Sequence, residues 1–392
     1  MIIRGLGALA ICAALASPAF AQSAGVTDTE IKLGQTVAYS GPASAYSIIG
    51  KTHSGYFQMI NDAGGIHGRK ITLLSLDDGY NPAKTVEVTR KLVEQDQVMA
   101  IFGSMGTAPN AAIQPYLNEK KVPQVIGSGA SRFSDPERFP WSLSFYPSYE
   151  LEGETLAHYA LSQRPEGKIA ILYQNDDSGR DFVRGFKRGL GDKVANVVAE
   201  AGYDVSEPTI RAQVSELHAS AADVLFVAPI PKFAAQAIRE VANLQWKPLF
   251  LLTSPGSATE SALIPAGPEN AVGIVSTSAF KTISPQWEQD EDIAAFKAFV
   301  AKYVPEGSPT DFNVAFGYVM ASFMTQALEK VGRELDREKF LDAMTSFDQA
   351  TAPMLLPGVT VSSSKDDYNV FDTIRLQRFD GKEWQMLEDT GD

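Results

Sequence analysis

Val98-Met-Ala-Ile-Phe102, then Gly103-Ser-Met-Gly106, then Thr107 to Asn118, then Val122 to Ile126 stand in succession. The first and last stretches read as strands, and Thr107 to Asn118 reads as a helix entered through a glycine-bounded loop. A strand, a crossover helix and a second strand with short connections make a parallel βαβ unit. The pattern extends upstream. Glu30-Ile-Lys-Leu-Gly-Gln-Thr36 alternates polar and apolar residues as a strand does, and Val37 to Ser44 is a loop marked by Ser40-Gly41-Pro42. Ile49, Tyr56, Phe57 and Ile60 recur at helical spacing before Asn61 to Gly65 ends the helix. Ile71 to Leu76 is a further strand, Asp77-Asp78 closes it, and Ala83 to Gln95 is a helix.

Downstream the alternation repeats: strands at Lys168 to Tyr173, Asp223 to Ala228 and Pro248 to Leu252, with helices at Asp181 to Leu190 and Phe233 to Ala242. Two α/β blocks of similar length are therefore expected, joined near Pro140 to Pro147. The last third differs. Asp290 to Val304, Phe312 to Val331 and Arg337 to Thr345 read as helices, with Gly332 as a C-cap. Thr373 to Phe379, the turn Asp380-Gly381 and Lys382 to Leu387 read as a hairpin.

Composition narrows the function. With 44% hydrophobic and 21% charged residues, the 392-residue chain suits a folded protein of two or three domains. A net charge of −13 repels phosphate backbones, so no nucleic-acid partner is expected. One Cys and four His leave no zinc-thiolate site and no disulfide framework. Residues 1–21 carry Arg4, an apolar run from Gly5 to Leu15 and Ala19-Phe20-Ala21, the pattern of a cleaved secretory signal. The run is too short to span a bilayer. Ile11 before Cys12 does not suit a lipid anchor, and cleavage after Ala21 leaves a thiol-free mature chain. Gly5-Leu-Gly-Ala-Leu-Ala10 mimics a dinucleotide fingerprint, but no strand precedes it.

Enzyme signatures fail one by one. Gly50-Lys51-Thr52 lacks the upstream glycine of a phosphate loop, since Ala45 stands there, and Lys51 falls inside a helix. No Gly-x-Ser-x-Gly elbow occurs, and no His lies near a strand end to activate a serine. Glu154 and His158 share a helix face but lack a third ligand. Asn175-Asp-Asp-Ser-Gly179 lacks the further acidic ligands of a calcium loop and reads as a turn with a helix cap. Asp77 and Asp78 read as a strand end and a turn. No enzyme activity, metal or cofactor is expected. What remains are strand-end loops of small residues, at Ser40 to Tyr46, Ser104 to Thr107 and Ser128 to Arg132. In open α/β sheets ligands bind beyond such carboxyl ends, where helix N-termini offer free N–H groups to an anion.

In order, the chain carries the signal-like segment, Ile31-Lys-Leu-Gly34, Ser40-Gly-Pro42, Asn61-Asp-Ala-Gly-Gly-Ile-His-Gly-Arg69, Asp77-Asp-Gly-Tyr-Asn-Pro82, Gly103-Ser104 and Gly127-Ser-Gly-Ala-Ser131. This set resembles the type I periplasmic solute-binding proteins of ABC importers, in the branched-chain amino-acid-binding family. The resemblance implies an α/β fold of two Rossmann-like lobes with parallel sheets, joined by three hinge crossovers. The N-terminal lobe would hold 27–143 and 281–353, and the C-terminal lobe 144–280 and 354–392. It also implies a periplasmic location, a ligand in the interlobe cleft, hinge closure, and docking on an ABC permease. A monomer is expected. A ligand sensor built on the same lobes is the alternative role.

In amino-acid-binding members of the family, loops matching Ser104, Met105, Gly106 and Thr107, and Gly129, Ala130 and Ser131, grip the α-carboxylate. The α-ammonium takes an acidic partner on a strand-end loop of the second lobe. The matching stretches here, Leu252-Thr253-Ser254-Pro-Gly256 and Ala228-Pro229-Ile-Pro231, hold no carboxylate. A buried unpaired ammonium is costly, so simple amino acids are expected to bind poorly, and amino-acid or amide binding becomes the alternative. Expected walls are Tyr39, Ser40, Tyr46, Met105, Phe145, Tyr146, Tyr173 and Pro229, with Gln174 and Asn175 as neutral hydrogen-bonding groups, Thr253 and Ser254 on the second lobe, and Arg132 beside the carboxylate. Tyr173-Gln-Asn-Asp-Asp-Ser-Gly179 and Phe139-Pro-Trp141 resemble a branch whose members often take aromatic acids. An aromatic or otherwise apolar acid is the expected ligand.

Overall fold

The computed structural model describes residues 23–387. The expected signal segment, 1–21, lies outside them. The first sheet holds β1 (Glu30–Val37), β2 (Lys70–Asp77), β3 (Ala100–Met105), β4 (Gln124–Gly127) and β5 (Ser142–Ser144), in the order β2-β1-β3-β4-β5 and all parallel. Helices α1 (Ser47–Asp62), α2 (Pro82–Arg90) and α3 (Thr107–Glu119) make the crossovers. The Asn81 side chain accepts from the Ala83 and Lys84 amides to start α2, and a wider π turn, Lys91–Gln95, ends it. Lys51 lies exposed in α1, 3.4 Å from Glu306.

The second sheet holds β6 (Ile169–Gln174), β7 (Val197–Tyr203), β8 (Val224–Ala228), β9 (Leu249–Leu252), β10 (Val275–Ser278), β11 (Arg375–Phe379) and β12 (Trp384–Met386), in the order β12-β11-β10-β9-β8-β6-β7. Strands β6 to β10 are parallel, and β11 pairs antiparallel with β10 and β12. Its helices are α4 (Tyr149–Gln163), α5 (Asp177–Leu190), α6 (Arg211–Ala219), α7 (Pro231–Asn243) and the single turn α8 (Ile264–Ala266). The chain then returns to the first lobe as α9 (Glu291–Tyr303), α10 (Phe312–Val331) and α11 (Arg337–Met344). Tyr56 of α1 packs edge-on against Tyr318 of α10, with ring centroids 5.0 Å apart. The Asp311 side chain caps α10, Gly332 at φ +76° ends it, and its core is buried all round, as a helix sandwiched between layers must be.

The chain thus passes between lobes three times, and each crossing supplies a buried phenylalanine to one knot. Phe145 and Phe280 lie 5.7 and 6.0 Å from Phe371, and Phe145 also meets Phe323 of α10 at 5.2 Å. Phe145, expected at the ligand, is therefore hinge core. Among the described residues, no helix is long and apolar enough to cross a membrane.

Candidate functional site

The carboxyl ends of β1, β3 and β4 face those of β6, β8 and β9 across a slot of about 540 Å³ of empty space, counted with its mouth. The first turn of α10 closes one side. Of the residues singled out in the sequence, Tyr46, Met105, Gly106, Thr107, Tyr146, Gln174 and Pro229 line it. So do Ile49, Tyr80, Tyr149, Phe182, Pro255, Phe312, Asn313 and Phe316, which the sequence did not mark as ligand residues.

One end of the slot is the start of α3. Gly106 adopts φ +94°, and a Cβ there would stand 2.4 Å from the Tyr80 ring. No side chain caps the helix. Asn110 N–H returns to Gly106 O at 3.2 Å, and Pro109 has no N–H, so the amides of Thr107 and Ala108 have no acceptor within the helix. Asn110 Nδ2 also fixes the loop through Ser104 O and Gly106 O, at 3.0 and 2.8 Å. Thr107 Oγ1 lies 2.8 Å from Ser128 Oγ, and both hydrogen-bond with the Tyr149 hydroxyl. Uncapped helical N–H groups aligned with the helix dipole favour an anion.

Four tyrosines surround that end. Burial pushes Tyr46, Tyr80 and Tyr146 well above the ordinary phenol range, and Tyr149 up to about 12. All four stay neutral near pH 7 and offer hydroxyls without charge. Tyr80 reaches the slot through a strained backbone at φ +61°. Its N–H donates to Asp78 Oδ1 at 2.9 Å, while Thr85 Oγ1 donates to Asp78 Oδ2 at 3.0 Å. The neighbouring Asp77 accepts from the Tyr39, Ser40 and Gly79 amides. The motif 77–82 therefore builds a turn that aims a tyrosine.

The rest of the lining is apolar or neutral. Phe182 stacks on Tyr149 with centroids 4.2 Å apart, and Phe316 meets Tyr146 at 5.1 Å. No Asp, Glu, Lys, Arg or His is in the wall among the described residues. Two carboxylates lie just outside it. Asp176 caps α5 and accepts from Gln174 Nε2 and Ser178 Oγ. Glu152 sits behind the wall and accepts from Ser254 N–H and Oγ–H, and burial pushes its carboxyl up to about 7. Among the described residues, no group of three or more His, Cys, Asp or Glu could hold a metal ion.

A family model described as periplasmic binding protein matches residues 30–382. The chain belongs to the periplasmic binding protein family. A Leu/Ile/Val-binding protein of Escherichia coli K12 is 25% identical over 280 residues, 71% of this chain and 74% of that one. The crystal structure of a branched-chain amino acid ABC transporter protein from Thermus thermophilus, with bound valine, superposes with a TM-score of 0.82 at 18% identity, over 93% of this chain and 96% of that one. A solute-binding protein of an ABC transporter from R. palustris, in complex with benzoate, superposes with a TM-score of 0.78 at 18% identity, over 91% and 95%. Both share the fold.

Within this periplasmic binding protein several expected ligand residues lie off the slot. Tyr39 hydroxyl bonds Ser75 Oγ at 2.6 Å, and Ser40 Oγ donates to Asp77 at 2.7 Å. Ser104 Oγ is buried and accepts from Thr36 N–H at 2.9 Å. A Cβ at Gly129 would fall 1.9 Å from Pro147 O, so this loop abuts the hinge segment. Ala130 is fully buried. Ser131 N–H donates to Asp181 at 2.7 Å, and Arg132 pairs with Asp177 at 3.0 Å, both across to α5 of the second lobe. Tyr173 is half-buried within β6, with its ring over Gly202 of β7. Asn175 is exposed, and Thr253 is buried with its N–H on Val227 O. Ser254 Oγ stands between Tyr146 hydroxyl, at 2.7 Å, and Glu152.

Proposed function

We propose that this periplasmic binding protein captures a small apolar carboxylate, aromatic by preference, in the interlobe slot and hands it to an ABC permease. The supporting observation is a slot with one uncapped helix N-terminus and no charged side chain in its wall. The α3 amides and neutral tyrosines suit an anion. The wall of Ile49, Met105, Pro229, Phe312 and Phe316 suits an apolar body. An α-ammonium would meet no carboxylate in the wall, because Asp176 lies outside it as the cap of α5 and Glu152 lies behind Ser254. The benzoate complex of the R. palustris neighbour speaks for this reading. The valine complex of the Thermus neighbour, and the name of the E. coli relative, make an aliphatic amino acid the competing one.

Function is capture, with no bond made or broken: the ligand favours the closed lobes through contacts that only the closed form makes. Export by cleavage after Ala21, action as a monomer and docking on the permease complete the proposal. A thermal-shift panel of benzoates, cinnamates, phenylacetates, amino acids and amides tests it. A ligand at about 100 times its dissociation constant adds about 2.7 kcal/mol. Shifts with aromatic acids are expected; shifts with leucine or valine alone overturn the reading.

A further inference from the structure

The first turn of α10 contributes Asn313 to the slot. Its residue is 2% exposed, and its Nδ2 is fully buried with no acceptor. Among the described residues, no other unpartnered buried side-chain atom belongs to the slot wall. Helix formation does not require this amide. The cap is Asp311, whose carboxylate takes the Asn313 backbone N–H at 2.9 Å and leaves the side chain unused. Its slot neighbours on α10, Phe312 and Phe316, have no acceptor to offer. A buried amide donor without an acceptor is costly, and native proteins keep few of them. An apolar side chain of similar size would fill the space without that cost.

The other groups of the slot give this donor a partner. The bare amides of α3 and Asn313 of α10 enter the same slot from two separate elements. Met105 and Phe316 are both close to Gly127, whose added Cβ would lie 2.5 Å from Met105 Sδ and 3.5 Å from the Phe316 ring. Asn313 stands one turn before Phe316 on the same face of α10. We infer that the ligand carries a second oxygen, a hydroxyl, ether or carbonyl remote from its carboxylate, which accepts from Asn313 Nδ2. This rests on the carboxylate reading above and adds a specificity residue to it.

Calorimetric titration of the purified mature protein with matched acids tests the inference: benzoate against its 4-hydroxy and 4-methoxy derivatives, and cinnamate against the same pair. The wild type should bind the oxygen-bearing acids at least about tenfold more tightly. Asn313→Leu should abolish that preference while binding the unsubstituted acids at least as well. Asn313→Asp removes the donor with little change in shape, and should lose affinity for the methoxy acids most. Acids that bind with no oxygen preference in the wild type, or with the same preference in Asn313→Leu, overturn the inference and leave the carboxylate reading standing. If no acid of either set binds, the carboxylate reading fails and takes this one with it.

Discussion

The Ser131 backbone N–H donates to the Asp181 carboxylate at 2.7 Å, joining a strand-end loop of the first lobe to α5 of the second. Asp181 is only 4% exposed, and burial pushes its carboxyl up even though Ser131 and Arg184 both donate to it. Arg132 reaches Asp177 one turn earlier on α5, and Arg184 Nη2 also lies 3.1 Å from Ser131 Oγ. Groups expected at the ligand thus make hydrogen bonds and an ion pair from one lobe to the other, and such bonds favour the closed form.

Asp181→Ala should therefore weaken ligand binding without touching the slot. Removing a charge-assisted hydrogen bond of this kind costs about 1.5–3 kcal/mol. Where closure is coupled to binding, that predicts an affinity loss of about tenfold or more. Titration calorimetry measures the loss, and small-angle scattering of the free protein should show a larger radius of gyration. An unchanged affinity would mean that the bond forms only alongside closure and does not drive it.

At Gly106 two costs coincide, a left-handed backbone and a Tyr80 ring 2.4 Å from any Cβ. Gly64, at φ +109° with nothing within 4 Å, has only the first. Gly106→Ala and Gly64→Ala should each lose about 1 kcal/mol or more of stability from the backbone alone. Only Gly106→Ala should lose ligand binding, because it moves Tyr80 or the α3 amides. Parallel urea melts and titrations of the two variants separate the terms.

Local chemistry explains which parts were readable in advance. The unit at 98–126 could be read because a buried strand, a glycine loop and a helix follow one another within thirty residues. Helix α10 could be read from its long apolar run, closed by Gly332, while its Asp311 cap came only with the structure. Strand β10, Val275-Ser-Thr-Ser278, could not: its polar side chains are buried by pairing with β9 and β11, and β11 lies about a hundred residues further on. β5 has three residues, and β7 is a half-exposed edge; neither carries a periodic signal. In the site, Gly106 and Thr107 follow directly from a strand end. Asn313 does not, because the second passage of the chain between the lobes brings it there. Gly129 to Ser131 are small residues beyond a strand end, as in the α3 loop, but they abut the carbonyl of Pro147 and the carboxylate of Asp181 instead of the slot.

Phe371 joins crossings that lie far apart in sequence, contacting Phe145 at 5.7 Å and Phe280 at 6.0 Å. Phe371→Ala leaves a cavity among residues that both lobes share. A loss of about 3–5 kcal/mol is expected, read from urea midpoints, with far-ultraviolet dichroism unchanged at low urea. A cost below about 1 kcal/mol would show that the three crossings do not depend on a common core.

Glu152 gives the pH dependence. Its carboxyl is fully buried against Ser254 and pushed up to about 7 by desolvation. In the unfolded chain it titrates near 4.5, as an ordinary glutamate does. Between those values the unfolded chain has released the proton and the folded protein has kept it, so folding stability falls as pH rises through this window and levels off above it. The shift corresponds to about 3 kcal/mol. Asp311, buried and raised to about 6, slopes the same way but is common to wild type and variant. Glu152→Gln cannot ionise, so between pH 5 and pH 8 it should gain about 2–3 kcal/mol relative to wild type, whatever constant offset its altered bond to Ser254 brings. Urea unfolding of both proteins at the two pH values measures that difference. Parallel pH profiles would mean that Glu152 ionises as easily folded as unfolded, with water reaching it behind Ser254.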